Sequence, residues 1–77
     1  MKDIVIKTSK NCEFLATEAV AKAMFYQANV AVDNPGFGKS KGATYSKYST
    51  NGDSRWDFLV YETKKAIVVE ITYHKVK

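Results

Sequence analysis

The sequence predicts a single small α+β domain with the element order β-α-β-β-β, in which one helix packs on one face of a mainly antiparallel sheet. Three observations favour this class. The 77 residues suit one domain, and 45% of them are apolar, which is enough for a packed core. A stretch rich in Ala, Leu, Met and Glu over about residues 12–28 is typical of a helix. Three runs rich in β-branched and aromatic residues follow it.

The first strand and the helix are predicted from the N-terminal third of the chain. Apolar and polar residues alternate over residues 3–8, which indicates a strand. Ser9 or Asn11 then provides a side chain that can cap a helix over about residues 12–28. This pattern leaves open where the first strand lies in the sheet.

Three further strands are predicted, over residues 43–50, 55–61 and 66–75. The dipeptide Asn51-Gly52 predicts a two-residue hairpin between the first two of them. Thr63-Lys64 is a weaker signal for the next hairpin, and a turn there would set Val60 opposite Ile67.

These turns decide which side chains share a face of the sheet, because successive strand residues point to opposite sides. The predicted core face consists of Ala43, Tyr45, Trp56, Phe58, Val60, Ile67, Val69, Ile71 and Tyr73. The opposite, mostly polar face consists of Ser46, Tyr48, Arg55, Asp57, Leu59, Glu70, Thr72 and His74. The helix residues predicted to face the sheet are Cys12, Leu15, Ala16, Ala19, Ala23 and Tyr26.

A second apolar face of the helix has no obvious partner within this fold. Phe14, Met24 and Phe25 lie beyond a stripe of charged residues, whereas a lone helix on a lone sheet buries only one face. These three residues are therefore candidates for a protein interface, with a host partner or in a homodimer. The alternative is that the 29–42 segment folds back and covers them.

A Gly- and Lys-rich loop at about residues 33–42 is predicted to be flexible. It begins a basic segment, 36–48, that contains no acidic residue and in which aromatic residues alternate with lysines. Lysines can neutralise phosphates and an aromatic ring can stack on a base. The candidate nucleic-acid contacts, one of them outside the segment, are Phe37, Lys39, Lys41, Lys47, Tyr48 and Arg55. The alternative is a solvated connector whose lysines maintain solubility.

The same loop contains only half of a nucleotide-binding motif. Gly38, Lys39 and Ser40 match the end of the phosphate loop G-x-x-x-x-G-K-[ST], but Asp33 replaces its first glycine. A β-rich stretch also follows where the motif requires a helix. We therefore expect no nucleotide cofactor.

The sequence shows no catalytic or metal-binding constellation. Cys12 and His74 are the only residues of their types, and a structural metal site usually needs about four ligands. Asp57 and Glu70 are predicted to be cross-strand neighbours on the polar face. Two close carboxylates can serve a hydrolase, but such groups more often form a surface ion network. The prediction is therefore no enzyme, no metal and no cofactor.

The sequence predicts a cytoplasmic location, and its mildly basic charge permits an acidic partner without requiring one. The net charge is +4, but Lys supplies eleven of the twelve cations, whereas specific readout of bases or phosphates favours Arg. No apolar run approaches the length of a membrane span, and the first 20 residues lack the apolar centre of a signal peptide. A single cysteine excludes an internal disulfide.

Three functional hypotheses follow. The first is a non-catalytic interaction protein that occupies a partner's surface, such as an inhibitor or modulator encoded by a phage or mobile element. The second is a small basic nucleic-acid-binding module that uses the 36–48 segment. The third and weakest is a small enzyme.

Overall fold

The computed structural model describes residues 2–10 and 12–77, which form four strands and one long helical run. The strands are β1 (Asp3–Thr8), β2 (Ala43–Tyr48), β3 (Ser54–Glu62) and β4 (Ala66–Lys75). The helical run consists of a 3-10 turn (Glu13–Leu15), helix α1 (Ala16–Phe25), a π-helical turn (Tyr26–Val30) and a last α-helical turn (Ala31–Asp33). A second 3-10 turn, Lys39–Lys41, precedes β2.

The sheet has the strand order β1-β4-β3-β2. β1 runs parallel to β4, and the other two pairs are antiparallel. This arrangement confirms the predicted α+β class. β1, whose position the sequence left open, forms one edge of the sheet, and β2 forms the other.

The core lies between the helical run and one face of the sheet. Its fully buried members are Cys12, Leu15, Ala19, Ala23 and Tyr26 from the helical side and Phe58, Val60, Ile67, Val69 and Ile71 from the sheet. The small side chains of Ala19 and Ala23 allow α1 to approach the sheet closely. Ala16, predicted to share this face, lies at its margin and is exposed.

The β2–β3 hairpin has the predicted register, with Tyr45 opposite Phe58. Its loop is longer than the predicted two residues. The Ser49 amide donates to the Ser54 carbonyl at 3.0 Å and closes the hairpin, and within the loop Gly52 has a φ of +78°. The glycine predicted at this turn is therefore required by a left-handed backbone conformation.

The β3–β4 turn lies one residue later in the chain than predicted. Val60 lies opposite Val69 and not opposite Ile67, and the turn is centred on Lys64-Lys65. The reason is local: the Thr63 hydroxyl accepts the backbone amide three residues later at 3.0 Å, which closes the turn at that position. Each strand residue thus changes partner by two positions, so every side chain keeps its predicted face.

The helical run continues to Asp33, beyond its predicted end near residue 28. Val30 and Ala31 pack against the core, and this tertiary contact supports the extra turn. Ser9 does not cap the run, because its hydroxyl accepts an amide of β4. Asn11, the other candidate cap, lies outside the described residues. Within residues 2–10 and 12–77, no helix has the length and apolarity that a membrane crossing needs.

The segment between the helical run and β2 is anchored at two points. The buried Tyr26 hydroxyl donates to the Lys41 carbonyl at 3.0 Å, and the Gly38 amide donates to the Glu62 carbonyl at 2.9 Å. Burial raises the pKa of Tyr26 above its ordinary 10.0, which keeps the hydroxyl protonated as a donor. The flexibility of the 33–42 loop stays a prediction.

Candidate interaction surface

Helix α1 covers only part of the sheet. An α-helix is about 10 Å wide with its side chains, and strands lie about 4.8 Å apart, so one helix spans roughly two strands. α1 packs mainly on β4 and β1. Tyr45 of β2 and Trp56 of β3, both predicted to be core, are consequently only partly buried. Comparing the width of one helix with that of four strands predicts that about half of the sheet stays uncovered, but it does not predict which half.

A boundary between the helical run and strands β2 and β3 runs along the uncovered half. We call it the α1–β2 groove and define it by Phe14, Ala21 and Phe25 on the helical side and Tyr45 and Trp56 on the sheet. At one end the Phe14 ring meets Trp56 edge-on, with ring centroids 5.5 Å apart and an interplanar angle of 88°. At the other end Ala21, Lys22, Phe25 and Tyr45 line an open cavity of about 260 Å³.

Charged side chains separate the two apolar ends of the groove. Lys47 Nζ of β2 lies 3.1 Å from Glu18 Oε1 of α1. Lys22 Nζ, from the same helix, lies 4.9 Å from the centre of the Tyr45 ring. An exposed ion pair of this kind contributes little to stability. It does determine which charges a partner can place at the middle of the groove.

The three predicted interface residues are exposed, but they lie on two flanks of α1. Phe14 is 67% exposed, Phe25 54% and Met24 50%. Phe14 and Phe25 face the β2 side, whereas the 100° step between helix residues places Met24 on the β1 side, beside Val20. The single apolar face predicted from the sequence is therefore two faces.

The 29–42 segment does not cover these side chains, so that alternative is wrong. Val32, which lies in that segment, is itself 71% exposed. Phe37 lies at the start of β1, where Lys2 Nζ is 4.7 Å from the centre of its ring. Val30 turns toward the core.

The six candidate nucleic-acid contacts are divided between the two sides of the sheet. Phe37 and Lys47 lie on the helix side, and Lys47 is paired with Glu18. Lys41 is exposed at the start of β2. The predicted basic segment is therefore not one continuous surface.

Tyr48, Arg55 and Lys39 lie on the open face, which is the side of the sheet without the helix. Tyr48 is 58% exposed and lies directly opposite Arg55, and both line an open depression of about 350 Å³. Arg55 Nε is 3.1 Å from Asp57 Oδ1, in an ion pair without an aligned hydrogen bond. Lys39 Nζ is 3.3 Å from Glu70 Oε2. Carboxylates of this chain thus lie beside two of the predicted nucleic-acid contacts, Arg55 and Lys39, and offset their charge.

The same two carboxylates belong to separate clusters on the open face. The Ser46 hydroxyl donates to Asp57 Oδ1 at 2.9 Å, and His74 Nε2 lies 3.2 Å from the other oxygen of Asp57. The Tyr61 hydroxyl donates to Glu70 Oε2 at 2.7 Å. Both carboxylates therefore act as acceptors in surface networks.

The corrected β3–β4 register separates Asp57 from Glu70. Asp57 lies opposite Thr72 and Glu70 opposite Leu59, so the predicted direct pairing of the two carboxylates is wrong. The Tyr61 hydrogen bond is the main reason that the pKa of Glu70 is below its ordinary 4.5. The same bond raises the pKa of Tyr61 above 10.0. Around neutral pH the donor and the acceptor therefore both keep the charge state that the bond needs.

Cys12 and His74 lie on opposite sides of the sheet. Cys12 is completely buried on the helix side, with its Sγ 3.5 Å from Ser9 Oγ, whereas His74 lies on the open face. In the part of the chain that the structure describes, no group of three or more His, Cys, Asp and Glu side chains could hold a metal ion.

No protein-family model, curated protein or solved structure matches this chain.

Proposed function

We propose that this protein is a non-catalytic binding domain that occupies the surface of a partner protein through the α1–β2 groove. The exposure of Phe14 and Phe25 at the two ends of the groove is the main support. Grouped apolar side chains are seldom left uncovered on a protein that acts alone, and aromatic rings are enriched in protein interfaces. Occupation of the partner's surface makes the chain an inhibitor or modulator of that partner, and we expect the two to meet in the cytoplasm.

The groove favours a partner segment with two apolar side chains. Phe14 and Phe25 are eleven helical positions apart, which separates them by about 16 Å along the axis. In an extended segment, two side chains on the same face that are four or six residues apart span about 13 or 20 Å, which brackets this distance. Between them, a polar side chain of the partner faces the ion pair of Glu18 and Lys47.

The free energy of burying the Phe14 and Phe25 rings is of the size expected for the anchor residues at the centre of a protein interface. Burial of each ring contributes about 1.5–3 kcal/mol before the costs of association are subtracted. Two such rings supply the apolar anchors on which binding usually depends, and the surrounding charges select the partner.

Single charged substitutions in the groove test this proposal. Phe14→Asp and Phe25→Asp place a charge at either end, and Tyr48→Asp on the open face is the matched control, because Tyr48 is about as exposed as Phe25. Each chain is immobilised and used to capture proteins from a lysate of its native host. The wild type and Tyr48→Asp should retain a partner that both groove variants lose. Circular dichroism and thermal melting check that every variant is folded.

Equal capture by all four chains would contradict the groove as the binding site. Nuclease treatment of the lysate separates the alternative, nucleic-acid binding through Tyr48 and Arg55. Capture that disappears with nuclease and with Tyr48→Asp, but survives Phe25→Asp, favours that alternative.

A further inference from the structure

The outer edge of β1 is an exposed feature that the groove proposal does not use. β1 pairs with β4 on one side, and no strand among residues 2–10 and 12–77 pairs with its other side. The Ser9 amide donates to the Ile71 carbonyl of β4. Because backbone groups alternate along a strand, the amides and carbonyls of Ile4 and Ile6 point away from β4. An edge with free backbone groups can accept another strand.

The sequence of β1 is complementary to its own reverse. It contains Asp3-Ile4-Val5-Ile6-Lys7. When two copies pair antiparallel about Val5, this residue faces its counterpart and Ile4 faces Ile6. Asp3 of each copy then faces Lys7 of the other.

The hydrogen-bonding pattern agrees with this register. The outward groups of Ile4 and Ile6 form its hydrogen-bonded pairs, whereas Asp3 and Lys7 occupy the non-hydrogen-bonded positions, where side chains lie closer together. A register shifted by two residues places Val5 opposite Asp3 or Lys7 and loses both charge pairs. The centred register is therefore favoured over its neighbours.

We propose that a second copy of this chain binds at the β1 edge in this register, joining two four-stranded sheets into one two-fold symmetric sheet of eight strands. The charges that specify it are exposed, and within the described part of the chain neither Asp3 nor Lys7 forms a salt bridge. Lys7 lies opposite Glu70 of β4 and attracts that carboxylate without a direct contact. β2, the other edge, contains one charged residue, Lys47, and no acid to complement it. A second copy paired along β2 would leave Lys47 with no acid opposite it, whereas on β1 each Lys7 faces Asp3 of the other copy.

The same two-fold rotation covers the β1 flank of α1. The rotation axis passes through the pair of Val5 residues, half a strand spacing from β1. Because α1 lies over β1 and β4, the two helices come about 10 Å apart, which is a normal distance for packed helices. Val20 and Met24, both more than a third exposed, then contact their counterparts. Strand pairing and helix packing thus use one symmetry operation.

This interface is separate from the α1–β2 groove. Phe14 and Phe25 lie on the other flank of α1, so the groove stays open in the dimer. The dimer does not depend on the proposed function, and each can fail without the other.

Charge reversal tests the register. Lys7→Asp places two carboxylates opposite each other at both ends of the interface, and Asp3→Lys places two amines there. Each single variant should weaken the dimer about tenfold or more in sedimentation equilibrium. An equal mixture of the two variants should regain the wild-type affinity, because every acid then faces a lysine. Circular dichroism of each variant alone shows that its monomer is folded.

Two results would refute the proposal directly. One is a wild-type chain that keeps its single-chain mass of 8.6 kDa up to about 1 mM. The other is a mixture of folded Lys7→Asp and Asp3→Lys chains that remains monomeric while the wild type dimerises.

An engineered cross-link identifies the edge independently of charge. Two copies of Val5→Cys should form an interchain disulfide on mild oxidation, since facing residues at this position lie about 4.5 Å apart between Cα atoms. Thr44→Cys, exposed on β2, is the matched control and should stay uncross-linked. Cross-linking of the control alone would assign the contact to the wrong edge. Phe25→Asp should leave the dimer mass unchanged, so its effect on partner capture reports on the groove only.

Discussion

The two faces of the sheet are built from the same strands, but different interactions stabilise their side chains. On the helix side Phe58 and Val69 are completely buried in an apolar core. On the open face Asp57 and Glu70 are held by hydrogen bonds and ion pairs at or near the solvent. Apolar burial contributes more free energy than exposed polar bonds. The helix side therefore provides most of the stability. On the open face, the buried side chains of Tyr61, Ala66 and Val68 form a smaller apolar group beside the charged clusters.

The largest expected effect comes from two neighbouring residues of β3 that lie on opposite faces of the sheet. Phe58→Ala should lower the free energy of unfolding by about 3–5 kcal/mol, because it leaves a cavity in the core. Leu59→Ala, on the open face and only partly buried, should cost much less. Urea denaturation of both variants measures the two values. Equal losses would show that the open face is a second core.

A smaller effect is expected where the helical run holds the segment before β2. Tyr26→Phe removes the hydroxyl that donates to the Lys41 carbonyl, which should cost about 0.5–1.5 kcal/mol. Hydrogen exchange of the 34–42 segment should become faster. Tyr48→Phe, which alters an exposed ring, is the control. Unchanged exchange in Tyr26→Phe would mean that this bond does not order the segment.

The smallest expected effect is a pH dependence on the open face. The pKa of Glu70 is lowered below 4.5, so its contribution to stability is present above about pH 4.5 and is lost as the pH falls through the lowered value. The pKa of Tyr61 is raised above 10.0, so its contribution is present below pH 10.0 and is lost as the pH rises through the raised value.

Tyr61→Phe should therefore make the free energy of unfolding depend less on pH at both acid and alkaline pH. Glu70→Gln removes the group that titrates at acid pH, so it should reduce the pH dependence there. We expect changes within about 1 kcal/mol, because solvent reaches the Glu70 side chain, which is 27% exposed. Urea midpoints over a series of pH values measure them. If the free energy of unfolding fell as steeply with decreasing pH in Tyr61→Phe as in the wild type, the hydrogen bond would not be coupled to folding.

Alternation along the strands was sufficient to predict the faces, but local sequence was insufficient to predict the β3–β4 turn. Phe58 and Val60 face the helix in both the predicted and the observed register, because a change of two partners preserves the face. The position of the turn depends on the Thr63 hydroxyl, which accepts a hydrogen bond from the amide three residues later. Turns at neighbouring positions have similar energies, so the local sequence does not decide between them.

The candidate site was predicted only in part for a different reason. Helical spacing was enough to place Phe14 and Phe25 away from the core. Their neighbours Tyr45 and Trp56 could not be assigned to a groove, because their exposure depends on where α1 lies across the sheet. The position of α1 follows from the pairing of β1 with β4 at the edge of the sheet. This pairing joins distant parts of the chain, and no local sequence pattern specifies it.

The parallel pairing of β1 with β4 also affects the order of folding. β2, β3 and β4 follow one another through short turns, whereas β1 meets β4 across about sixty intervening residues. The entropy of closing that long loop favours early formation of the three-stranded meander and late docking of β1. The edge through which two copies pair is therefore completed last. At high protein concentration, the rate of dimer assembly should then become independent of concentration, because a unimolecular folding step limits it.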